Sequence, residues 1–155
     1  MDYVKLIVAV LICLLAGAVG SIFTAKSVST WYAGLNKPSF NPPSWVFGPV
    51  WTFLYILMGV SLYLVWSKGL GTGGVKAAMV IFGVQLLLNI LWSLLFFGLQ
   101  NPLLALIEIV LLWVMILVNI LYFYKISPLS AYLLVPYILW VSFAAVLNFF
   151  LFRLN

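Results

Sequence analysis

Five apolar runs, each about the length needed to cross a bilayer, fill nearly the whole of this chain and leave it few ways to fold. A segment inside hydrocarbon must satisfy its own backbone hydrogen bonds, so runs of this kind form helices rather than open strands. Read against their breakers, they predict helices at about 5–26, 45–67, 76–99, 102–124 and 128–152, with a long loop at 27–44. The expected architecture is therefore an all-α integral membrane protein. It forms one domain over residues 1–155, a bundle of five transmembrane helices with 27–44 as a lid loop between the first and second. Composition agrees: 67% of residues are hydrophobic and 6% charged, with a mean hydropathy of +1.29, well outside the balance of soluble proteins. The expected location is a multi-pass position in a membrane.

Punctuation residues support this division. Ser44 follows two prolines, Asn101 precedes Pro102 and Ser127 precedes Pro128, which makes each a candidate N-cap. Gly69-Leu70-Gly71-Thr72-Gly73-Gly74 reads as a flexible turn. The next two connections are so short that the helices they join must be antiparallel. Pro49 falls near the start of the second helix, where little bonding is lost, whereas Pro136 should free the carbonyl of Tyr132 and kink the fifth. Lys5 ahead of an apolar run, with Ala16-Gly17-Ala18 beyond it, resembles a secretory signal, but the run continues to Ala25 and reads as a span. Small residues spaced by four (Ala16/Gly20, Gly17/Ser21, Ser21/Ala25) give that helix a smooth face, for packing within the bundle or for a homodimer contact.

The ionisable side chains exclude more than they suggest. There is no histidine, and Asp2 and Glu108 are the only acids. The commonest general base, the usual haem and catalytic zinc ligands, and paired-carboxylate hydrolysis are all missing their parts. No metal site and no obligatory cofactor are expected. The seven basic residues lie near helix ends, where they snorkel to headgroups, so the charge of +5 is not a nucleic-acid footprint. Four lie on one side of the membrane and three on the other, too even a split to orient the chain. Cys13 has no partner for a disulfide. Glu108, less than two turns into the fourth helix, is expensive in lipid and is expected to pair with a lysine or a hydroxyl.

Helical spacing gathers the aromatic and amide residues onto three faces. Trp51, Tyr55, Met58, Leu62 and Trp66 share one; Gln85, Asn89, Trp92, Ser93 and Phe96 a second; Tyr137, Trp140, Ala144, Leu147 and Asn148 a third. Together they suggest an aromatic-walled cavity for a flat, largely apolar small molecule or a membrane lipid, oriented by Asn89, Gln85 and indole N–H groups. Each tryptophan also suits an interfacial or packing role, and Asn89 suits a helix–helix hydrogen bond equally well. The aromatics and prolines of 27–44 fit a lid over one end of the bundle or a belt among headgroups.

The motif Trp31-Tyr32-x-x-Leu35-x-Lys37-Pro38-x-Phe40-x-Pro42-Pro43-x-Trp45 runs on into Gly48-Pro49-Val50-Trp51-Thr52-x-x-Tyr55-x-x-Met58-Gly59. Gln85-Leu86-x-Leu88-Asn89-x-x-Trp92, Phe96-Phe97-Gly98 and Pro136-Tyr137-x-x-Trp140-x-x-Phe143-Ala144-x-x-Leu147-Asn148 follow in order. This series resembles the tryptophan-rich sensory protein/translocator protein family, once called peripheral benzodiazepine receptors. The resemblance implies a five-helix bundle whose first loop closes over a pocket. It implies binding of porphyrins, protoporphyrin IX or haem, and of isoquinoline carboxamide and benzodiazepine ligands, in a receptor or sensor of a bacterial cell membrane tied to tetrapyrrole or stress regulation. The family's pocket positions fall on Tyr32, Pro42, Trp51, Asn89, Trp92, Trp140, Ala144 and Leu147, to which the face analysis adds Tyr55 and Phe96. Some bacterial members degrade protoporphyrin in light, and the tryptophans implicated correspond to Trp51 and Trp140, the candidate photochemical residues here. Transport of porphyrin or lipid is a third reading, weakened by the lack of an internal repeat. The vertebrate cholesterol motif requires a tyrosine where this chain reads Leu147-Asn148-Phe149-Phe150-Leu151-Phe152-Arg153, so that property is not carried over.

Overall fold

A computed structural model describes residues 1–155. Its five spans are Tyr3–Ser27, Ser44–Trp66, Val75–Gly98, Pro102–Ile126 and Pro128–Leu154, with no strand. The first is α1 (Tyr3–Ser27), started by the Asp2 side chain, which accepts from Lys5 N at 3.1 Å. A 3-10 turn at Ser44–Val46 leads into α2 (Phe47–Trp66). Ser44 therefore caps nothing: the chain is already turning there, and the α-helix proper begins three residues later.

Gly69 and Gly74 hold φ values of +97° and +86°, and the second of them starts α3 (Val75–Ser93). At its far end α3 widens into a π-helical turn, Leu94–Gly98, closed by Leu99 N donating to Leu94 O at 2.7 Å. In α4 (Pro102–Ile126) Asn101 acts as the expected cap, its Oδ1 accepting from Leu104 N at 3.1 Å. Pro136 breaks the last span as its missing N–H requires: α5 (Pro128–Leu133) and α6 (Val135–Leu154) meet at Leu134, whose N–H turns back to Ala131 O at 3.1 Å. Ser127 stands at the start of α5 without a side-chain cap bond.

Packing follows the small residues. In lipid there is no hydrophobic gain on bringing two helices together, so close van der Waals contact and buried hydrogen bonds must hold the bundle. A Cβ on Gly59 would lie 2.5 Å from Val10 Cα, and one on Gly17 would lie 2.6 Å from the Tyr55 ring, so both glycines are needed for α1 to seat on α2. Ala16 and Gly20 are buried too, Gly20 against Ser93 of α3, while Ser21 and Ala25 stay exposed. Around the bundle α1 lies against α2 and α3, α4 against α3, α5 and α6, and α5 completes the ring against α2; the approach of α2 to α6 is slight. Leucine, isoleucine and valine cover the outer faces.

The loop between α1 and α2 is folded onto the helix ends. Trp31 and Tyr32 pack against Phe96 and Phe97 of the π turn, with centroid separations of 5.4 and 5.7 Å for Trp31–Phe96 and Tyr32–Phe97. Phe40 packs on Phe143 and Phe150 of α6. Asn36 N donates to Asn155 Oδ1 at 3.0 Å, and Asn155 Nδ2 returns a bond to Asn36 O at 2.9 Å.

Candidate functional site

Where the loop meets the bundle the helices enclose a cavity of about 680 Å³. Its deepest lining residues are Leu14 on α1, Tyr55 on α2, Asn89 on α3, Leu112 on α4 and Trp140 on α6, so it occupies the loop-side half of the bundle. Ala18, Ser21, Trp45, Gly48 and Thr52 line it and are also exposed, which puts an opening between α1 and the start of α2. Such a volume falls within the range of about 300–1,000 Å³ usual for small-molecule sites.

Of the ten ligand-site residues named from the sequence, Tyr32, Trp51, Tyr55, Asn89, Trp92, Phe96, Trp140, Ala144 and Leu147 all line this one cavity, and Pro42 does not. The wall passes from Tyr32 directly to Ser44 because the chain between them is tied up locally. Tyr32 Oη donates to Asn41 Oδ1 at 3.2 Å, and Asn41 Nδ2 donates to Pro42 O at 3.2 Å. Burial raises the Tyr32 phenol above the usual tyrosine range, with the Asn41 bond opposing, so at neutral pH it remains a neutral donor.

The polar groups beneath the cavity are spent on one another. Tyr55 Oη donates to Asn89 Oδ1 (2.5 Å), Asn89 Nδ2 donates to Tyr137 Oη (2.8 Å), and Tyr137 Oη donates to Gln85 Oε1 (2.7 Å). Gln85 Nε2 ends the chain 3.9 Å from Met58 Sδ. Gln85 is fully buried and lines no part of the cavity, so the expectation that it orients a ligand is corrected. Asn89 lines the cavity but its amide is engaged on both sides, which makes it first of all a bond between helices. Trp92 Nε1 likewise donates to Asn148 Oδ1 at 3.0 Å, and Asn148 Nδ2 donates to Pro102 O at 2.9 Å. Trp140 differs: its Nε1 is buried without any acceptor. Trp51 stacks on Tyr55 at 5.6 Å and meets Tyr137 edge-on at 6.4 Å, and Trp92 stacks on Phe96 at 4.9 Å.

Glu108 is 4% exposed and neither of its oxygens has a partner, so its expected pairing with a lysine or hydroxyl is not made. The bundle's lysines sit near helix ends, beyond reach, and the hydroxyls of α6 turn elsewhere, Ser142 accepting from Trp113 and donating to Ile138 O. Several lining residues went unnamed from the sequence. Gly17, Gly20 and Ser21 were assigned to helix packing, and their small size also makes the room here; Ile109 and Leu112 carry no signal that sets them apart from other core aliphatics.

Residues 9–154 match the TspO/MBR family. The chain is 49% identical over 156 residues to the tryptophan-rich protein TspO of Archaeoglobus fulgidus, covering 100% of this chain and 99% of that one. It is 49% identical to the tryptophan-rich protein TspO of Chlorobaculum tepidum, covering 93% and 91%, and 44% identical to the translocator protein of Homo sapiens, covering 88% and 82%. With that match and five membrane-length helices, the chain is a multi-pass integral membrane protein belonging to the TspO/MBR family.

Proposed function

We propose that this protein is a receptor or sensor in a bacterial cell membrane that binds protoporphyrin IX, and drug-like isoquinoline carboxamide or benzodiazepine ligands, in the aromatic cavity. The observation that carries the reading is the wall itself: Trp51, Tyr55, Trp92, Phe96 and Trp140 present ring faces and edges to one space of about 680 Å³, which suits stacking on a flat, largely apolar molecule. No lysine or arginine lines the cavity. An unpaired carboxylate is costly away from water, so the propionates of a porphyrin lie at the opening, beside Ser21, Ser44 and Thr52, with the macrocycle inward. Neither histidine nor cysteine is among the lining residues, so haem gains no axial thiolate or imidazole and binds no tighter than the metal-free ring.

Tryptophan-fluorescence titration with protoporphyrin IX in the dark, corrected for absorbance, tests this. Saturable binding weakened by Trp51→Phe and Trp140→Phe, with haem no tighter, is the expected result. Binding confined to iron porphyrins would sink the reading.

A second reading is favoured by one observation, that the Trp51 and Trp140 side chains both face the cavity. In light, an excited porphyrin and dioxygen would supply the oxidising chemistry that acid–base residues here do not: dioxygen takes an electron through the two indoles, and the indole radicals are restored by electrons drawn from the macrocycle, which is thereby oxidised. Light-dependent loss of the porphyrin absorbance should then slow in Trp51→Phe and Trp140→Phe at matched occupancy. Unchanged rates in both would count against it.

A further inference from the structure

Trp140 belongs to two hollows at once. Its ring lines the cavity, and it also lines a shallow apolar groove on the outer face of the bundle, formed by Phe53 and Leu54 of α2 with Pro136, Leu139 and Phe143 of α6. Phe47 lines only the cavity and Phe143 only the groove, and Trp140 touches both, with ring centroids at 6.1 and 5.4 Å. One indole therefore separates the interior from the surface that faces hydrocarbon.

The partition stands where two neighbouring helices touch only slightly. Contact between α2 and α6 is slight, and the helix carrying Trp140 begins at the Leu134 break, about two turns earlier. A bundle opens most readily where least packing is lost. The ring is also untethered. Trp92 and Trp113 are held by hydrogen bonds to Asn148 and Ser142, whereas Trp140 Nε1 is buried with no acceptor, a state that costs free energy and favours any position that offers one.

We propose that Trp140 is a gate between the cavity and the bilayer. Its swing, with a small parting of α2 from α6, admits an apolar ligand already dissolved in the membrane. The ligand is drawn from the bilayer because the groove is walled almost wholly by apolar side chains of membrane-spanning helices. The proposal rests on the reading that the cavity holds such a ligand. It is distinct from the opening between α1 and α2, which lies across the cavity's lining and is bordered by Ser21 and Thr52.

The test needs no ligand. In protein reconstituted into vesicles, with the buried Cys13 replaced by alanine, Ala144→Cys places a thiol in the cavity wall and N-phenylmaleimide, which partitions into the bilayer, reports access by its alkylation rate. Leu139→Trp, at a position exposed on the outer surface, fills the groove; Thr52→Trp fills the other opening. Expected are a several-fold slower reaction with Leu139→Trp and, because two aromatic contacts are lost, a rate about tenfold faster with Trp140→Ala. Slowing by Leu139→Trp supports the gate whether or not Thr52→Trp also slows the reaction. Slowing by Thr52→Trp alone, or by neither, overturns it. Should the alkylation pattern hold while protoporphyrin fails to bind, the porphyrin reading falls and the gate stands for other apolar ligands of the cavity.

Discussion

Replacing Tyr137 by phenylalanine removes a single oxygen from the middle of the polar chain under the cavity. That oxygen accepts from Asn89 Nδ2 at 2.8 Å and donates to Gln85 Oε1 at 2.7 Å, in a side chain with no exposed surface. Phenylalanine keeps the ring and its edge contact with Trp51, so the change is confined to two hydrogen bonds. Interhelical bonds in membranes contribute on average about 0.6 and at most about 1.7 kcal/mol each. The two groups left behind have no water to turn to, which places each near the upper end, and a loss of about 2–3 kcal/mol follows. Tyr55→Phe breaks only the outer bond to Asn89, beside a cavity that water can reach, and should cost about 1 kcal/mol. Both values can be read from reversible unfolding in mixed micelles of mild detergent and dodecyl sulfate, followed by tryptophan fluorescence. A double-mutant cycle between Tyr137→Phe and Gln85→Leu should show coupling of about 1 kcal/mol. If Tyr137→Phe cost no more than Tyr55→Phe, the chain would not be the fastener it is taken to be.

Three further outcomes follow from the same geometry. Gly59→Ala sets a methyl 2.5 Å from Val10 Cα, a backbone atom that cannot yield unless α1 and α2 separate; it should destabilise by about 1–3 kcal/mol in the same assay, and a neutral result would mean the helices sit further apart. Glu108→Met removes two buried oxygens without partners and should raise stability by about 1–3 kcal/mol; a loss of stability would reveal a partner for the acid. Because burial raises the Tyr32 phenol, its contribution is complete below the ordinary tyrosine value of 10.0 and fades as pH climbs through the raised folded value. Proteolysis of the 27–44 loop should therefore quicken above that pH in the wild type, and Tyr32→Phe should abolish the step; an equal alkaline step in the variant would assign it elsewhere.

The helices were legible because length and hydropathy decide them, and they were misplaced only where local geometry competes. Ser44 looks like a cap, yet the three residues it begins form a tighter turn; nothing in Leu94-Leu95-Phe96-Phe97-Gly98 announces a π turn, though a Cβ on Gly98 at its end would lie 3.0 Å from the Leu94 side chain and 3.3 Å from the Phe23 ring. The site was legible where three- and four-residue spacing brings large rings to one face, as for Trp51/Tyr55 and Trp92/Phe96. Partnership was not legible. Asn89, Gln85 and Tyr137 sit on the right faces, but which amide meets which hydroxyl depends on helix rotation and depth, and these are set by contacts such as Gly59 on Val10 that one sequence does not order. Gly17 and Gly20 were read for the approach they allow and not for the space they leave, though both come from the same missing side chains.

That division of polar groups bears on what the cavity can select. Tyr55, Asn89, Trp92 and Asn148 line the space, yet each has a donor or acceptor engaged by another side chain. A molecule that sought those same atoms would have to replace bonds already well made, with little net gain. What the walls offer freely is ring surface, together with a few unspent donors, among them the N–H of Trp51 and the buried N–H of Trp140. Discrimination must then come mainly from outline and flatness, so molecules of unrelated chemistry but similar shape can share the cavity, and one acceptor placed near Trp140 can set which way round each of them sits.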